Sequence, residues 1–423
     1  MRPLFLALVL SAATAARADD LLQVWAQARA ADPLLRQAAA LSGAQEASAR
    51  EARAALLPQW QLQRSEQRQT GGNRWNTTTS SLSQTLVDLA ALREWDASRS
   101  QASAQAARLA AAEQAARQRV AEAYFGLLSA QAQLATARAN EDAFARQVSE
   151  ADTRFKAGLS AQVEADQSRA YRELARTGTL AAEAAVADAR EALAELTGSA
   201  PATLQPLRQA LAAQPLPDDA EAWTRRAETA NPALRALQLD VQASEQRISS
   251  ARAGHLPTLS LGVDTQRLRG DGVPPLDAGR TPTQVALRLT VPLFAGGATA
   301  AATDRAGFQR DAAREQLEAG RRAVMREVRA EHLAVGQGAV QLQATQAAVT
   351  AAERALESTR TGQSLGTRST TDLLLAIQTL AGAQNAQTQA RHRHVLALLA
   401  LHRAAGSLGD AELAAVNALL ETR

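Results

Sequence analysis

Residues 120–155 read VAEAYFGLLSAQAQLATARANEDAFARQVSEADTRF, and residues 328–363 read VRAEHLAVGQGAVQLQATQAAVTAAERALESTRTGQ. In the first stretch Val120, Leu127, Leu134, Val148 and Phe155 fall on a seven-residue grid, with Glu141 in the one polar slot. Adding 208 to each gives Val328, Val335, Leu342, Leu356 and Gln363, with Val349 opposite Glu141. Seven residues fall about 20° short of two helical turns, so helices that keep this grid supercoil left-handedly against neighbours. Such a pattern, written twice, predicts two long helices that need partners of similar length.

Outward from the grid, residues 88–155 contain no Pro and a single Gly, Gly126. At 1.5 Å per residue they form one rod of about 100 Å. The second copy runs from about 299 to 364. Each rod ends in a Gly-containing turn, Ala157-Gly158-Leu159-Ser160 and Leu365-Gly366-Thr367. A return helix follows each turn, to about 196 and 404. Both copies therefore predict a long helical hairpin.

Upstream of each rod the offset is 199. Asp32-Pro33 matches Asn231-Pro232, and Leu57-Pro58 matches Leu256-Pro257. Each pair reads as an N-cap with Pro at the first helical position, a helix of about 23 residues, and a Pro that stops it. Between this helix and the rod the period becomes two. Leu259, Leu261, Val263 and Thr265 alternate with Ser260, Gly262, Asp264 and Gln266. Val285, Leu287, Leu289, Val291 and Leu293 alternate with Ala286, Arg288, Thr290 and Pro292. That is strand patterning with one apolar face, and residues 269–275 between the runs form a Gly/Pro loop. In the first copy the alternation is weaker. Trp60 and Leu62 begin a strand, residues 64–68 are polar throughout, Gly71-Gly72-Asn73 marks a turn, and residues 75–86 are rich in Thr and Ser. Four strands are too few to close a barrel, whereas three protomers supply twelve. A small soluble sheet with one buried face fits the same pattern.

Composition agrees with long helices packed through small residues. The 423 residues carry 3% aromatics and two Met, and no Cys for a disulfide or thiolate site. Lys and Arg number 46 against 43 Asp and Glu, net +3 with both signs interspersed, so no nucleic-acid partner is implied. Arg2, the apolar run 4–10 and Ala16-Arg17-Ala18 form a leader with a small-x-small cleavage pattern, predicting a mature start at Asp19. The run is too short to span a bilayer as a helix, and no other stretch qualifies, so any membrane crossing falls to strands. The organisation expected is leader 1–18, first repeat 19–198, connecting equatorial segment 199–230, second repeat 231–406 and tail 407–423.

In this order, and twice, these motifs make the chain resemble the TolC-like outer-membrane efflux and secretion channels over nearly all its mature length. The most specific stretches are Phe155-Lys156-Ala157-Gly158-Leu159-Ser160, residues 365–374 with Leu365-Gly366-Thr367-Arg368, and Val291-Pro292-Leu293-Phe294-Ala295-Gly296-Gly297. The resemblance implies a mainly α fold with a membrane β-barrel: a trimer with a twelve-strand barrel in the outer membrane of a Gram-negative cell and a twelve-helix periplasmic tunnel. It implies no cofactor and no metal. Its partners would be a second and third copy, a periplasmic adaptor, an inner-membrane pump of ABC, RND or MFS type, and outer-membrane lipid. Ala157, Gly158, Leu159, Ser160, Leu365, Gly366 and Thr367 would be the adaptor-docking tips. Glu164, Gln363, Arg368 and Asp372 would form the periplasmic gate. Three positions depart from the family pattern: Gln363 replaces an aromatic, Val163 replaces the partner facing Arg368, and Leu375 replaces a second aspartate. Taken alone, Asp372 also reads as a helix N-terminal carboxylate favoured by the dipole, and Arg368 as a solvated side chain.

Two other classes of function compete. A periplasmic adaptor or coiled-coil scaffold also uses long hairpins, though usually one hairpin flanked by soluble β-domains. An enzyme has little support. His392 and His394 lie two apart and point about 200° apart on a helix, so they cannot clamp one metal from one face, and His402 does not complete a site.

Overall fold

A computed structural model describes residues 18–68, 70, 74–199, 203–208, 219–270 and 280–421. Most of the leader, the 71–73 turn and most of the 269–275 loop lie outside the described residues. In chain order the elements are α1 (Leu21–Ala31), α2 (Pro33–Ala54), β1 (Gln59–Arg68), β2 (Arg74–Val87), α3 (Leu89–Lys156), α4 (Gln162–Thr197), α5 (Ala220–Ala230), α6 (Pro232–Ala253), β3 (Thr258–Gly270), β4 (Thr283–Thr290), α7 (Ala298–Ser364), α8 (Thr370–Ala404) and α9 (Asp410–Asn417).

The duplication is visible in the helix starts. Asp32 Oδ1 accepts from the Leu34 amide at 2.8 Å, and Asn231 Oδ1 accepts from Ala233 at 2.9 Å and Leu234 at 3.2 Å. Each cap precedes a Pro whose missing N–H costs nothing at the first helical position. The two rods run unbroken for 68 and 67 residues. The short helices α1 and α5, which the apolar grid did not disclose, stand 199 positions apart, so they too are copies.

The described residues divide into two compact units, and each draws on both repeats. The first comprises residues up to 36, 113–230 and 325–423. Its hairpins bury most of the second-copy grid: Val328, Val335, Leu342, Val349 and Leu356 are all buried. In the first copy Val120 and Leu127 are buried, but Phe155 at the tip is 43% exposed, while its counterpart Gln363 is only 9% exposed. The seam thus runs out at one tip and ends on a buried amide at the other. Tyr124, Phe125 and Phe144, off the grid, carry the aromatic part of this core.

Three distant chain segments meet in the first unit. The Asp19 amide donates to the Thr203 carbonyl at 2.9 Å, and the Gln205 amide to Asp19 at 3.2 Å. The Arg208 amide donates to Leu419 at 3.0 Å, and the Glu421 amide to Pro206 at 2.9 Å. This small clasp of bridges satisfies backbone groups that a loop would otherwise leave open. Arg391 reaches in from α8 to donate to the carbonyls of Leu207, at 3.0 Å, and Arg208.

The second unit comprises residues 37–112 and 231–324. It holds one antiparallel sheet in the order β1-β2-β3-β4, in which the central pair joins strands of different repeats. Cross-strand register sorts the side chains. Trp60, Leu82, Val263 and Val285 form one row, and Gln61, Ser81, Asp264 and Gln284 form the adjacent row on the opposite face. β1 remains in register through its wholly polar end, Arg64 to Arg68. One expectation is corrected: β4 ends at Thr290, so Val291 and Leu293 lie beyond the strand. Pro292 has no N–H to give to a ladder, and the chain turns away through Gly296 and Gly297. Below the sheet the helices pack closely: a Cβ at Gly320 would sit 2.5 Å from Leu237 Cδ1.

Candidate functional site

The two hairpin tips have the same turn chemistry. At the first, the Leu159 amide donates to the Arg154 carbonyl at 2.8 Å and the Gly158 amide to Phe155 at 2.9 Å. At the second, the Thr367 amide donates to Gly362 at 2.8 Å and the Gly366 amide to Gln363 at 3.0 Å. Gly158 has φ +74° and Gly366 φ +75°, the left-handed conformation that ends a helix and that a Cβ disfavours. Both tips leave a leucine in solvent, Leu159 at 72% and Leu365 at 73% exposure. Ala157 and Thr367 are exposed beside them, whereas the Ser160 hydroxyl is buried with no hydrogen-bond partner.

Of the four expected gate residues, the structure brings Glu164 and Gln363 together through Thr370, which is not among them. Glu164, in the first turn of α4, accepts at Oε2 from Thr370 Oγ1 at 3.0 Å. The same Thr370 oxygen lies 3.5 Å from the Gln363 side-chain amide, which donates to it. The next residue, Thr371, donates from Oγ1 to Oε1 of Gln167, one turn beyond Glu164 on α4, at 3.0 Å.

Asp372 sits on the same turn but faces its own helix start. It accepts from the Ser369 amide at 3.1 Å, and Ser369 Oγ accepts from the Asp372 amide at 3.1 Å, a closed capping box. The Ser369 amide, and then its hydroxyl, hold the Asp372 carboxyl below the usual carboxylate range, with Arg368 adding a weaker pull. Arg368 itself makes no ion pair with any described residue. Its stem lies over α7, where a Cβ at Gly362 would meet Arg368 Cγ at 2.7 Å. Val163 and Leu375, the other departures, are 63% and 57% exposed.

Thr370, Thr371 and Gln167 were not legible as site residues. The signal was indirect: Glu164 and Thr370 are 206 positions apart, close to the repeat offset of 208. The duplication therefore sets the first turns of α4 and α8 side by side.

The histidines of α8 serve packing. His392 Nδ1 lies 2.6 Å from Ser129 Oγ and its ring packs at 5.4 Å on Phe125. Burial pushes its pKa down to about 4, with Arg391 adding to the shift. His402 Nδ1 lies 3.1 Å from Ser407 Oγ, and burial lowers its pKa as well. Among the described residues no three His, Asp or Glu side chains are grouped to hold a metal ion, and no helix is long and apolar enough to cross a membrane.

Comparison with known proteins places both repeats in one family. The family model described as outer membrane efflux protein matches residues 24–199 and 223–407. Outer membrane protein TolC of Vibrio cholerae is 31% identical over 430 residues, covering 99% of this chain and 98% of that protein. The alkaline protease secretion protein AprF of Pseudomonas aeruginosa is 30% identical over 345 residues, covering 81% of this chain and 72% of that one. Among solved structures, CusC superposes with a TM-score of 0.81 at 19% identity, covering 92% of each chain. The Campylobacter jejuni CmeC outer membrane channel gives 0.81 at 18% identity, covering 95% of this chain and 90% of that one. These superpositions show a shared fold.

Proposed function

This chain belongs to the outer membrane efflux protein family, and we propose that it is the outer-membrane exit duct of an efflux pump or type I secretion system. It sits in the outer membrane, extends into the periplasm and moves cargo without catalysing a reaction. The observation that carries the reading is the split of one four-stranded sheet into an apolar row, Trp60-Leu82-Val263-Val285, and a polar row, Gln61-Ser81-Asp264-Gln284. Trp60 is 76% exposed and Val285 67%, so the apolar row is not spent on a core within the chain. Among the described residues the outer strands β1 and β4 each keep an open edge. Three copies joined edge to edge supply twelve strands and close a barrel, which leaves no edge unpaired in lipid. The apolar row then faces lipid and the polar row the pore.

In this reading the assembly is a homotrimer whose leader, residues 1–18, is removed. Residues 19–198 and 231–406 are two copies of one building block, joined by 199–230, whose α5 precedes the second copy as α1 opens the first, and closed by the tail 407–423. The tips at Ala157-Gly158-Leu159-Ser160 and Leu365-Gly366-Thr367 dock a periplasmic adaptor, which joins the duct to an inner-membrane pump of ABC, RND or MFS type. Glu164, Gln363, Arg368 and Asp372 lie at the periplasmic gate. Around a threefold axis, Asp372 gives an acidic ring that favours cations. The test is native mass spectrometry of protein extracted from outer membranes, followed by planar-bilayer recording. A detergent-stable trimer of chains starting at Asp19, with discrete channel events, is expected. A stable monomer in mild detergent overturns the reading.

A further inference from the structure

The apolar face of the sheet changes character toward the end away from the helices. Side chains two positions apart on a strand share a face, so the face that holds Trp60 and Leu62 on β1 continues through Arg64, Glu66 and Arg68. The register extends it to the neighbouring strands, in the rows Arg64-Thr78-Arg267, Glu66-Asn76-Arg269 and Arg68-Arg74. All five arginines are exposed. Among the described residues of the sheet, Glu66 is the one carboxylate on this face, 3.9 Å from Arg68 with both side chains exposed. At the same level the opposite face carries Ser65, Gln67, Thr77 and Gln266, and no charge from β1, β2 or β3.

Two observations call for an anion here. The first is repulsion: Arg68 and Arg74 stand directly opposite each other across β1 and β2, an arrangement that destabilises a sheet when nothing neutralises it. The second is position. Arg64 lies two residues, about 7 Å of strand, beyond Leu62. The helices lie the other way, since β2 runs into α3 and β3 follows α6. In the duct these arginines therefore edge the lipid-facing band on the side away from the periplasm, where long side chains hold their guanidinium groups at headgroup level. We propose that Arg64, Arg68, Arg74, Arg267 and Arg269 form a collar that binds the phosphate groups of outer-leaflet lipids. A guanidinium fork matches phosphate oxygens in pairs, which a lone ammonium does not. The assignment rests on the exit-duct reading and names the class of lipid its outer rim takes, one with an anionic, phosphate-bearing headgroup.

The experiment is native mass spectrometry of the detergent-purified full chain, titrated with lipid A carrying two phosphates. Arg68→Gln with Arg74→Gln should weaken lipid retention roughly tenfold or more, the effect of two basic side chains at an anionic surface. Arg68→Lys with Arg74→Lys keeps the charge without the fork and should lose less. Arg288→Gln, on the opposite face, should retain lipid like wild type. Wild type should hold dephosphorylated lipid A no better than the glutamine variant does. Equal retention of the two lipids by wild type, or of the phosphorylated lipid by wild type and the glutamine variant, overturns the collar. Thermal unfolding without added lipid gives a second readout. The glutamine variant loses a repulsion, so it should melt no lower than wild type; a lower melting temperature assigns the arginines to the sheet itself and overturns the collar. A monomeric wild type sinks the duct reading instead. The five arginines belong to one protomer, so its lipid count still decides the collar.

Discussion

The Tyr124 hydroxyl donates a 2.8 Å hydrogen bond to the carbonyl of Gln205. Tyr124 is fully buried in the long helix α3, while Gln205 belongs to the segment connecting the two repeats. The bond therefore pins that segment, which also pairs with Asp19 and Leu420, onto the helical core.

Replacing Tyr124 by Phe keeps the ring and leaves the Gln205 carbonyl without this donor. A loss of about 1–3 kcal/mol is expected, the cost of an unsatisfied buried group. Thermal unfolding of the purified protein checks it. Burial raises the tyrosine pKa, so the neutral form is favoured in the folded state. Its contribution is present below the unfolded value near 10 and is lost as pH rises above it. The destabilisation should therefore be constant between neutral pH and about pH 9.

His392 gives the opposite pH dependence. Its pKa falls from 6.5 to about 4 on folding, so the folded chain disfavours the protonated ring. The unfolded chain binds the extra proton between these values, and stability falls as pH drops from 6.5 to 4. The shift corresponds to ~3 kcal/mol at most. His392→Gln keeps a polar group beside Ser129 and removes the titration. Melting temperature against pH should flatten over this window, and an unchanged slope would assign the acid sensitivity elsewhere.

The two faces of β4 should respond differently to charge. Leu287→Arg places a guanidinium on the apolar face, at ~2–4 kcal/mol if it lies near the bilayer midplane. Gln284→Arg places the same group on the polar face, in register with Asp264. Trimer recovered from outer membranes should drop for the first and hold for the second. Equal recovery would show that the sheet does not divide lipid from pore.

At the tips, Gly158→Trp and Gly366→Trp together should abolish export while leaving the trimer. Nothing lies within 4 Å of a Cβ built at either glycine, so the bulk projects outward. The left-handed backbone adds strain of ~1 kcal/mol or more per site. That is small beside the burial along hairpins of this length. An export assay, a trimer blot and a crosslink to the adaptor read the outcome. Full export with an intact crosslink would remove these turns from the docking surface.

Much of this was written in local pattern. The heptad grid, the two offsets and the Pro and Gly punctuation specify two long hairpins and their turns, because helix period and helix termination depend on residues a few positions apart. The strand pairs were readable where Leu259 to Thr265 alternate, and needed the duplication where residues 75–86 do not. α1, α5 and α9 escaped because 8–11 residues give too few turns for a grid to show.

The sequence by itself determined that this protein is built twice from a helix, two strands and a helical hairpin. Only the tertiary structure decided what faces what. The pairing of β2 with β3 aligned Leu82 with Val263, and so set the apolar row apart from the polar one. It also set Glu164 beside Thr370 rather than Arg368, and turned Asp372 back onto Ser369. Hydrogen bonds act over about 3 Å, and residues some 200 positions apart come within that reach only after the helices have packed.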